Sequence, residues 1–303
     1  MLRSALLAVT LASAACCAWA SEVSGTITIL EGDALVYRGA GRVQAQEGVR
    51  IVVGDLVETG AGAFMQIELP DQSKIELGPT TRMQFAAPAP GVRGKADRSL
   101  YVLEGWGKLT YAKPDTGLDL RSPLFEVAAR PGVVVFDARP SEAMLFIERG
   151  DARLVERPPG AGGAPVPLNA GDYYKRKAGM RGAVNPPDAR AMLDKMPRAF
   201  RDTLPSRLEK FRGRDVKPRE APGFSYADVE PWLSAEAPIR RQFVQRWRVK
   251  AHEPAFRSAL IAHLRAHPEW DPVLFPEKYL PKEAQAPTPA LAGRPASTPA
   301  AAR

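Results

Sequence analysis

The densest cluster of chemically capable side chains is a basic run between Lys195 and Arg219. It holds nine Lys and Arg against only three acids, Asp202, Glu209 and Asp215. Cationic side chains, and guanidinium forks above all, suit phosphate and carboxylate groups, so the run is a candidate contact for an anionic surface. A solvated helix face with intrahelical ion pairs produces the same pattern, and both interpretations stay open. The candidate contact residues are Arg198, Arg201, Arg207, Lys210, Arg212, Arg214 and Lys217.

No other part of the sequence forms a recognisable catalytic or cofactor pattern. Nucleophile-elbow, Ser-x-x-Lys, phosphate-loop and dinucleotide motifs are absent. His263 and His267 have the four-residue spacing of metal ligands, but no Glu follows His263 and no mature cysteine completes a structural zinc site. We therefore expect no enzyme activity, no cofactor and no metal. The histidines are interpreted as cationic or solvated residues near a helix end.

Both cysteines lie in an N-terminal segment with the layout of a secretory signal peptide. An apolar run from Ala5 to Ala15 is followed by a small-x-small cleavage site, Ala18-Trp19-Ala20. We therefore expect residues 1–20 to be removed and the mature protein to be periplasmic, without disulfides. Two alternatives stay open. One is a membrane anchor, although the apolar run is shorter than the ~20 residues of a span; the other is lipid attachment at Cys16 or Cys17.

The formal net charge of +8 is concentrated in the second half of the chain. Residues 21–180 hold 19 Lys and Arg against 20 Asp and Glu, whereas residues 181–280 hold 19 against 13. An exported protein does not normally meet nucleic acid, so we expect no nucleic-acid partner. The available polyanions are lipid and lipopolysaccharide head groups, wall polymers or acidic proteins.

The elements that must position these residues begin with strands. Apolar residues alternate with polar ones from Ala63 to Leu69, a turn cluster follows at Asp71–Ser73, and Ile75 and Leu77 resume the alternation. This pattern predicts two half-buried strands. Similar short alternating segments, punctuated by Gly and Pro, recur through residues 21–180. We therefore predict an all-β sandwich or short solenoid over that range.

Several sequence motifs in this region resemble those of a known protein family. One motif resembles the recurrent sequence motif of the FecR-domain family of bacterial envelope proteins. It reads Gly54-Asp55-Leu56-Val57-Glu58-Thr59-Gly60 and is followed by a strand, a turn and a strand ending at Gly78-Pro79. Gln72 replaces the middle glycine of that family's turn, and Arg130-Pro131-Gly132-Val133 replaces its Arg-Gly-Thr. Further similar steps occur at residues 100–107, 120–128, 146–154 and 167–172.

The resemblance implies an envelope protein that acts by binding. Family members that relay a signal to a sigma factor need a cytoplasmic region and a membrane span before the β domain, whereas here the signal segment leads straight into it. The expectation is a non-catalytic binding or scaffolding module that contacts a periplasmic or outer-membrane protein, or an anionic envelope polymer. A FecR-type signalling component and a cell-wall-modifying enzyme are the alternatives.

After residues 185–187 the hydrophobic period becomes helical. Ile239, Phe243 and Trp247 recur every fourth residue after Pro238, and a second such series follows Pro254. Asp228 is predicted to cap a third helix that includes Pro231 in its first turn. Residues 181–280 are therefore predicted to form a basic α-helical region, with short helices at 188–196 and 205–211.

Aromatic residues in this region, among them Trp232, Trp247 and Trp270, fit a core, although a ligand groove stays open as an alternative. Phe243, Phe256 and Tyr279 belong to the same set. Residues 281–303 are rich in Ala and Pro and have few apolar anchors. We expect this tail to be disordered.

Overall fold

The computed structural model describes residues 23–86, 98–113, 118–128, 130–157 and 164–279. The predicted signal peptide with Cys16 and Cys17, and the predicted disordered tail, lie outside the described residues. The chain divides into two compact units, Met1–Ala34 with Ala45–Pro218, and Leu35–Gln44 with Arg219–Arg303. Strands dominate the described part of the first unit and helices that of the second. The predicted fold class, a β-rich region followed by a helical one, is confirmed.

Seventeen strands lie within the described residues. They are β1 Val23–Glu31, β2 Ala34–Arg38, β3 Gly41–Gln44, β4 Arg50–Val52, β5 Leu56–Thr59, β6 Phe64–Glu68, β7 Lys74–Leu77, β8 Arg82–Ala86, β9 Arg98–Tyr111, β10 Leu118–Arg121, β11 Phe125–Val127, β12 Gly132–Ala138, β13 Glu142–Glu156, β14 Val166–Asn169, β15 Tyr173–Lys177, β16 Ala183–Val184 and β17 Arg219–Glu220.

The same ranges contain five α-helices and five short 3-10 helices. The α-helices are α1 Arg190–Lys195, α2 Tyr226–Leu233, α3 Ala237–Arg246, α4 Pro254–Ala262 and α5 Asp271–Leu274. The 3-10 helices are Arg198–Arg201, Leu208–Phe211, Arg248–His252, Pro268–Trp270 and Pro276–Tyr279. None of the helices in these ranges is long and apolar enough to cross a bilayer.

Two long strands connect the sheets of the first unit. The second half of β9 pairs with β7 and β12, while its first half pairs with β8 and, in parallel, with β10. The first half of β13 likewise pairs with β12 and β15, and its second half with β11 and β14. Because the other pairings within this unit are antiparallel, the arrangement matches the predicted sandwich better than a parallel solenoid.

Glycines mark the points where these long strands change partners. Gly105 in β9 has φ +113°, and a Cβ there would lie 2.4 Å from the Cα of Thr81. Gly150 in β13 has φ +81°, and a Cβ would lie 2.3 Å from the carbonyl oxygen of Pro131. Both positions combine a left-handed backbone with a close approach, so only glycine fits without strain.

The turn between β6 and β7 has an unusual backbone conformation at Gln72. Gln72 adopts φ +72°, in the left-handed region that the family's glycine would occupy without a penalty. The turn is held by the Asp71 carboxylate, which accepts a hydrogen bond from the Ser73 backbone N–H at 2.9 Å. The two predicted strands pair in antiparallel register, with Ile67 opposite Ile75.

The second unit combines its helices with the β2–β3 hairpin. Arg42 donates to the carbonyl oxygens of Pro222 and Gly223 at 2.6 and 3.1 Å and pairs with Asp228 at 3.3 Å. From α3, Arg246 Nε donates to the carbonyl of Gly39 at 2.9 Å. The helical region was predicted to start at residue 181, whereas the second compact unit contains this hairpin and resumes at Arg219.

The predicted amphipathic helices are present, with one correction at their start. The helices after Pro238 and Pro254 correspond to α3 and α4, and each begins with its proline in the first turn. The cap of α2 is Ser225, not Asp228, which lies three residues into the capping box and accepts from the Ser225 N–H at 2.7 Å. The helix therefore starts earlier than predicted, and Pro231 falls beyond its first turn.

Aromatic side chains form the core of this unit, as expected. Trp232, Trp247 and Trp270 have no exposed surface, and the rings of Phe243 and Trp247 stack at 4.4 Å. Tyr279 differs, because 59% of it is exposed. Packing at helical spacing thus explains the buried members of the set without a ligand.

Candidate functional site

The basic run belongs to a segment that covers one face of the first unit. We call residues 185–218 the strap. Its helical content is limited to α1 and two 3-10 turns. Three of its apolar side chains, Met192, Met196 and Phe200, join a buried cluster with Ile29, Phe64, Trp106 and Val135. The Phe200 and Phe64 rings meet edge to face at 6.2 Å, a favourable aromatic geometry.

Polar side chains of the sheet fix the strap backbone. Lys108 Nζ donates to the carbonyl of Phe200 at 2.8 Å, and Lys74 Nζ donates to the carbonyl of Leu204. The Glu68 carboxylate accepts from the Arg207 backbone N–H at 2.7 Å and from the Ser206 hydroxyl. Charge-assisted bonds of this kind are stronger than neutral ones. They fix the path of a segment that has little regular structure of its own.

Two glycines allow the strap to approach closely. A Cβ on Gly48, which has φ +88°, would lie 2.6 Å from a methyl of Val216 and 2.9 Å from the Phe211 ring. A Cβ on Gly78 would lie 3.2 Å from Pro197 and 3.3 Å from the Phe200 ring. Gly78 belongs to the Gly-Pro step noted in the sequence. Its absent side chain leaves room for the strap.

The strap buries a face of the sheet that the sequence pattern assigns to solvent. Alternation predicts half-buried strands with Gln66, Glu68 and Glu76 outside, but none of the three is more than 3% exposed. That expectation is wrong because the strap packs on the polar face. Gln66 Nε2 donates to Glu68 at 3.0 Å and to the Thr28 hydroxyl at 3.1 Å, which satisfies part of the buried polar layer.

Glu76 is the member of this buried polar layer whose pKa is strongly shifted. It lies opposite Lys108 across β7 and β9, and Lys108 pairs with Glu148 at 2.9 Å. Burial raises the pKa of the Glu76 carboxyl to about 7, and the nearby Lys108 and Lys74 offset only part of that rise. No sequence signal identified Glu76 or Lys108, because a charged residue in an alternating strand is indistinguishable from a solvent-facing one.

All seven predicted contact residues lie on the strap, and all are exposed. Arg207 and Lys210 approach Glu47 at 3.9 and 3.6 Å, and Arg212 pairs with Glu209 at 2.5 Å. Arg201 donates to the carbonyl of Leu193 at 3.3 Å. Within the described ranges, the remaining three, Arg198, Arg214 and Lys217, have no side-chain hydrogen bond or ion pair.

The alternative interpretation of the basic run, a regular helix face, does not match this geometry. Only Arg198 and Arg201 share one short 3-10 turn and Lys210 lies in the other, while the rest lie outside any helix. Arg212 and Glu209 form the single pair with helical spacing among the seven residues' described contacts. The charges therefore follow an irregular path along the sheet. Their positions are set by the hydrogen bonds that Lys74, Lys108 and Glu68 make with the strap.

The two spaced histidines of the second unit do not form a paired site. Helix α4 ends at Ala262, so His263 and His267 do not share a helix face. His263 stacks on the Tyr226 ring at 5.2 Å and His267 Nε2 lies 3.1 Å from the Tyr226 hydroxyl. His267 is fully buried, and burial lowers its pKa, so the interpretation as a cationic or solvated residue is wrong for this histidine. In the part of the chain that the structure describes, no three His, Cys, Asp or Glu side chains cluster as metal ligands would.

Comparison with known proteins gives limited similarity. No protein-family model matches the chain, and no curated protein matches it. Two crystal structures, each of a candidate anti-sigma factor from Parabacteroides distasonis ATCC 8503, align with 15% and 17% sequence identity and a TM-score of 0.36. Each alignment covers 46% of this chain and 62% or 63% of the other. The chain thus spans less than two thirds of those structures.

Proposed function

We propose that the protein is an exported, non-catalytic envelope protein of FecR-like type, and that the strap is its contact for an anionic envelope polymer or membrane surface. The observation that carries this proposal is the geometry of the strap. Met192, Met196, Phe200 and two backbone carbonyls of the strap are engaged by the sheet, while all seven candidate basic side chains are exposed. A fixed backbone reduces the entropy lost when the charges bind a partner.

The charge of the strap supports an anionic partner. Three of its basic residues have no partner among the described side chains, and three more make long or highly exposed pairs. Exposed ion pairs contribute little free energy, so an anionic surface can displace them easily. Attraction to an anionic lipid surface is worth about 1 kcal/mol for each Lys or Arg close to it.

Binding to vesicles with and without phosphatidylglycerol, and to purified sacculi, tests this proposal. A triple variant with Arg198, Arg214 and Lys217 changed to Gln should bind phosphatidylglycerol vesicles roughly 100-fold more weakly, about 3 kcal/mol. Binding of the wild type should also weaken steeply with salt.

The matched control removes the same charge elsewhere. Arg153, Arg248 and Arg265 are exposed residues outside the strap, and changing all three to Gln gives the same net charge. This control should bind almost as well as the wild type. Equal losses in the two triples, or binding that is insensitive to salt, would refute the role of the strap.

Export is a separate part of the proposal, supported by the signal-like segment of the sequence. Cell fractionation and mass spectrometry of the mature N-terminus test it. Periplasmic protein that begins at Ser21 supports release after cleavage. Retention of residues 1–20 in the cytosol would contradict it, and a lipid on Cys16 or Cys17 would replace it with anchoring.

A further inference from the structure

A partly enclosed polar cavity of about 80 Å³ lies between the strap and the sheet of the first unit. Its floor comes from facing positions on four adjacent strands, where Lys74 pairs with Thr110, Thr110 with Val133, and Val133 with Arg149. The strap supplies the roof with residues 202–204. Glu76, Lys108 and Glu148 complete the lining. These residues lie in elements whose positions the anchors described above fix.

Basic and acidic side chains line this cavity in equal number. Three side chains are cationic, Lys74, Lys108 and Arg149, and three are acidic, Glu76, Glu148 and Asp202. A simple anion would gain from the first set and be repelled by the second, and a simple cation would meet the reverse. A solute that carries both charges can instead place each one near its opposite.

The Glu76 carboxyl has no hydrogen-bond donor among the described residues. Lys108 is engaged by Glu148 at 2.9 Å and by the Phe200 carbonyl at 2.8 Å, and Lys74 by the Leu204 carbonyl. Glu76 is only 3% exposed, and among the described residues Lys108 and Lys74 attract its carboxylate without a hydrogen bond or a close ion pair. Burial raises the pKa of this carboxyl to about 7, so it is partly protonated at neutral pH. A bound ammonium would favour the ionised carboxylate because it supplies both an opposite charge and hydrogen-bond donors.

The size of the space restricts the solute. About 10–15 Å³ is enough to hold one water, so a cavity of about 80 Å³ admits several waters or one small solute. Val133 and Leu204 also border it and add apolar residues to the lining. We propose that the cavity binds a free amino acid of glycine or alanine size, with its ammonium on Glu76 and its carboxylate toward Lys74 and Arg149.

The cavity proposal does not depend on the strap's contact with polymers. Isothermal titration calorimetry of the full chain with glycine, L-alanine and D-alanine, compared with propionate and ethylammonium, tests it. At least one of the three amino acids should bind, and the two singly charged analogues should bind at least tenfold more weakly. Glu76→Gln should weaken binding of that amino acid at least tenfold.

Two further variants make the result decisive. Glu31→Gln changes an exposed acid at the end of β1 and should leave binding unchanged. Arg149→Gln alters an exposed residue, so it should fold even if Glu76→Gln does not, and it should also weaken binding. Absence of heat with all three amino acids at about 100 times the protein concentration would overturn the proposal. Equal binding of propionate or ethylammonium, or undiminished binding by both cavity variants, would also overturn it.

Discussion

Removal of the Phe200 side chain should detach the strap while the sheet stays folded. Phe200 is 1% exposed and contacts the Phe64 ring, and truncation of such a residue to Ala typically costs 3–5 kcal/mol, of which we take about 3 for local opening. The carbonyl that accepts from Lys108 survives the substitution, so part of the anchoring remains. Opening exposes apolar side chains such as Phe64 and Trp106, but it also returns Gln66, Glu68 and Glu76 to water. The strap contributes no strand, so the strand pairings of the sheet stay intact when it leaves.

Hydrogen exchange followed by mass spectrometry measures this local opening. A loss of about 3 kcal/mol corresponds to roughly 100-fold faster exchange in strap peptides, including the Arg207 amide that donates to Glu68. Peptides from β9 and β12 should keep their wild-type protection. Leu193→Ala is the matched control, since Leu193 lies on the same strap but is 36% exposed. Unchanged strap exchange in Phe200→Ala, or equal acceleration in strap and sheet, would refute the reasoning.

Three other predictions concern stability, measured by urea unfolding. Gln72→Gly should stabilise the protein by about 1 kcal/mol, because glycine adopts a φ of +72° without the strain of a side chain. As the control, Gln46→Gly changes a residue without a positive φ and should destabilise the protein by about 0.5–1 kcal/mol. Gly105→Ala should destabilise the protein by about 3 kcal/mol or more, because φ is positive and the new Cβ would lie 2.4 Å from Thr81 Cα. Gly62→Ala, whose Cβ would meet nothing within 4 Å, should be close to neutral. Similar losses of stability in the two variants would contradict the assignment of strain to Gly105. The raised pKa means that the folded state binds the Glu76 proton more tightly than the unfolded state does. The resulting contribution to the free energy of unfolding, about 3 kcal/mol, is fully present below pH 4.5 and should be lost as pH rises through about 7. Glu76→Gln should flatten that part of the pH profile, and an unchanged profile would refute the assignment.

The sequence by itself determined the elements whose signals are local. Period-two alternation predicted the strands on both sides of Gln72, and fourth-residue spacing after Pro238 and Pro254 predicted α3 and α4. These signals survive because strand and helix geometry repeats over a few residues, whatever the rest of the chain does. The start of α2 was misplaced because Ser225 and Asp228 are both good capping residues, and the sequence does not show which one precedes the first turn.

Tertiary structure alone decided which polar residues are buried and where the basic run lies. The strap has no regular period to predict, and its anchors join residues far apart in sequence, such as Lys108 to Phe200 and Glu68 to Arg207. The pattern of Gln66, Glu68 and Glu76 is identical whether water or another segment covers that face. Only the packing of the strap distinguishes the two cases, and it converts ordinary strand charges into an enclosed polar layer beneath an exposed basic surface.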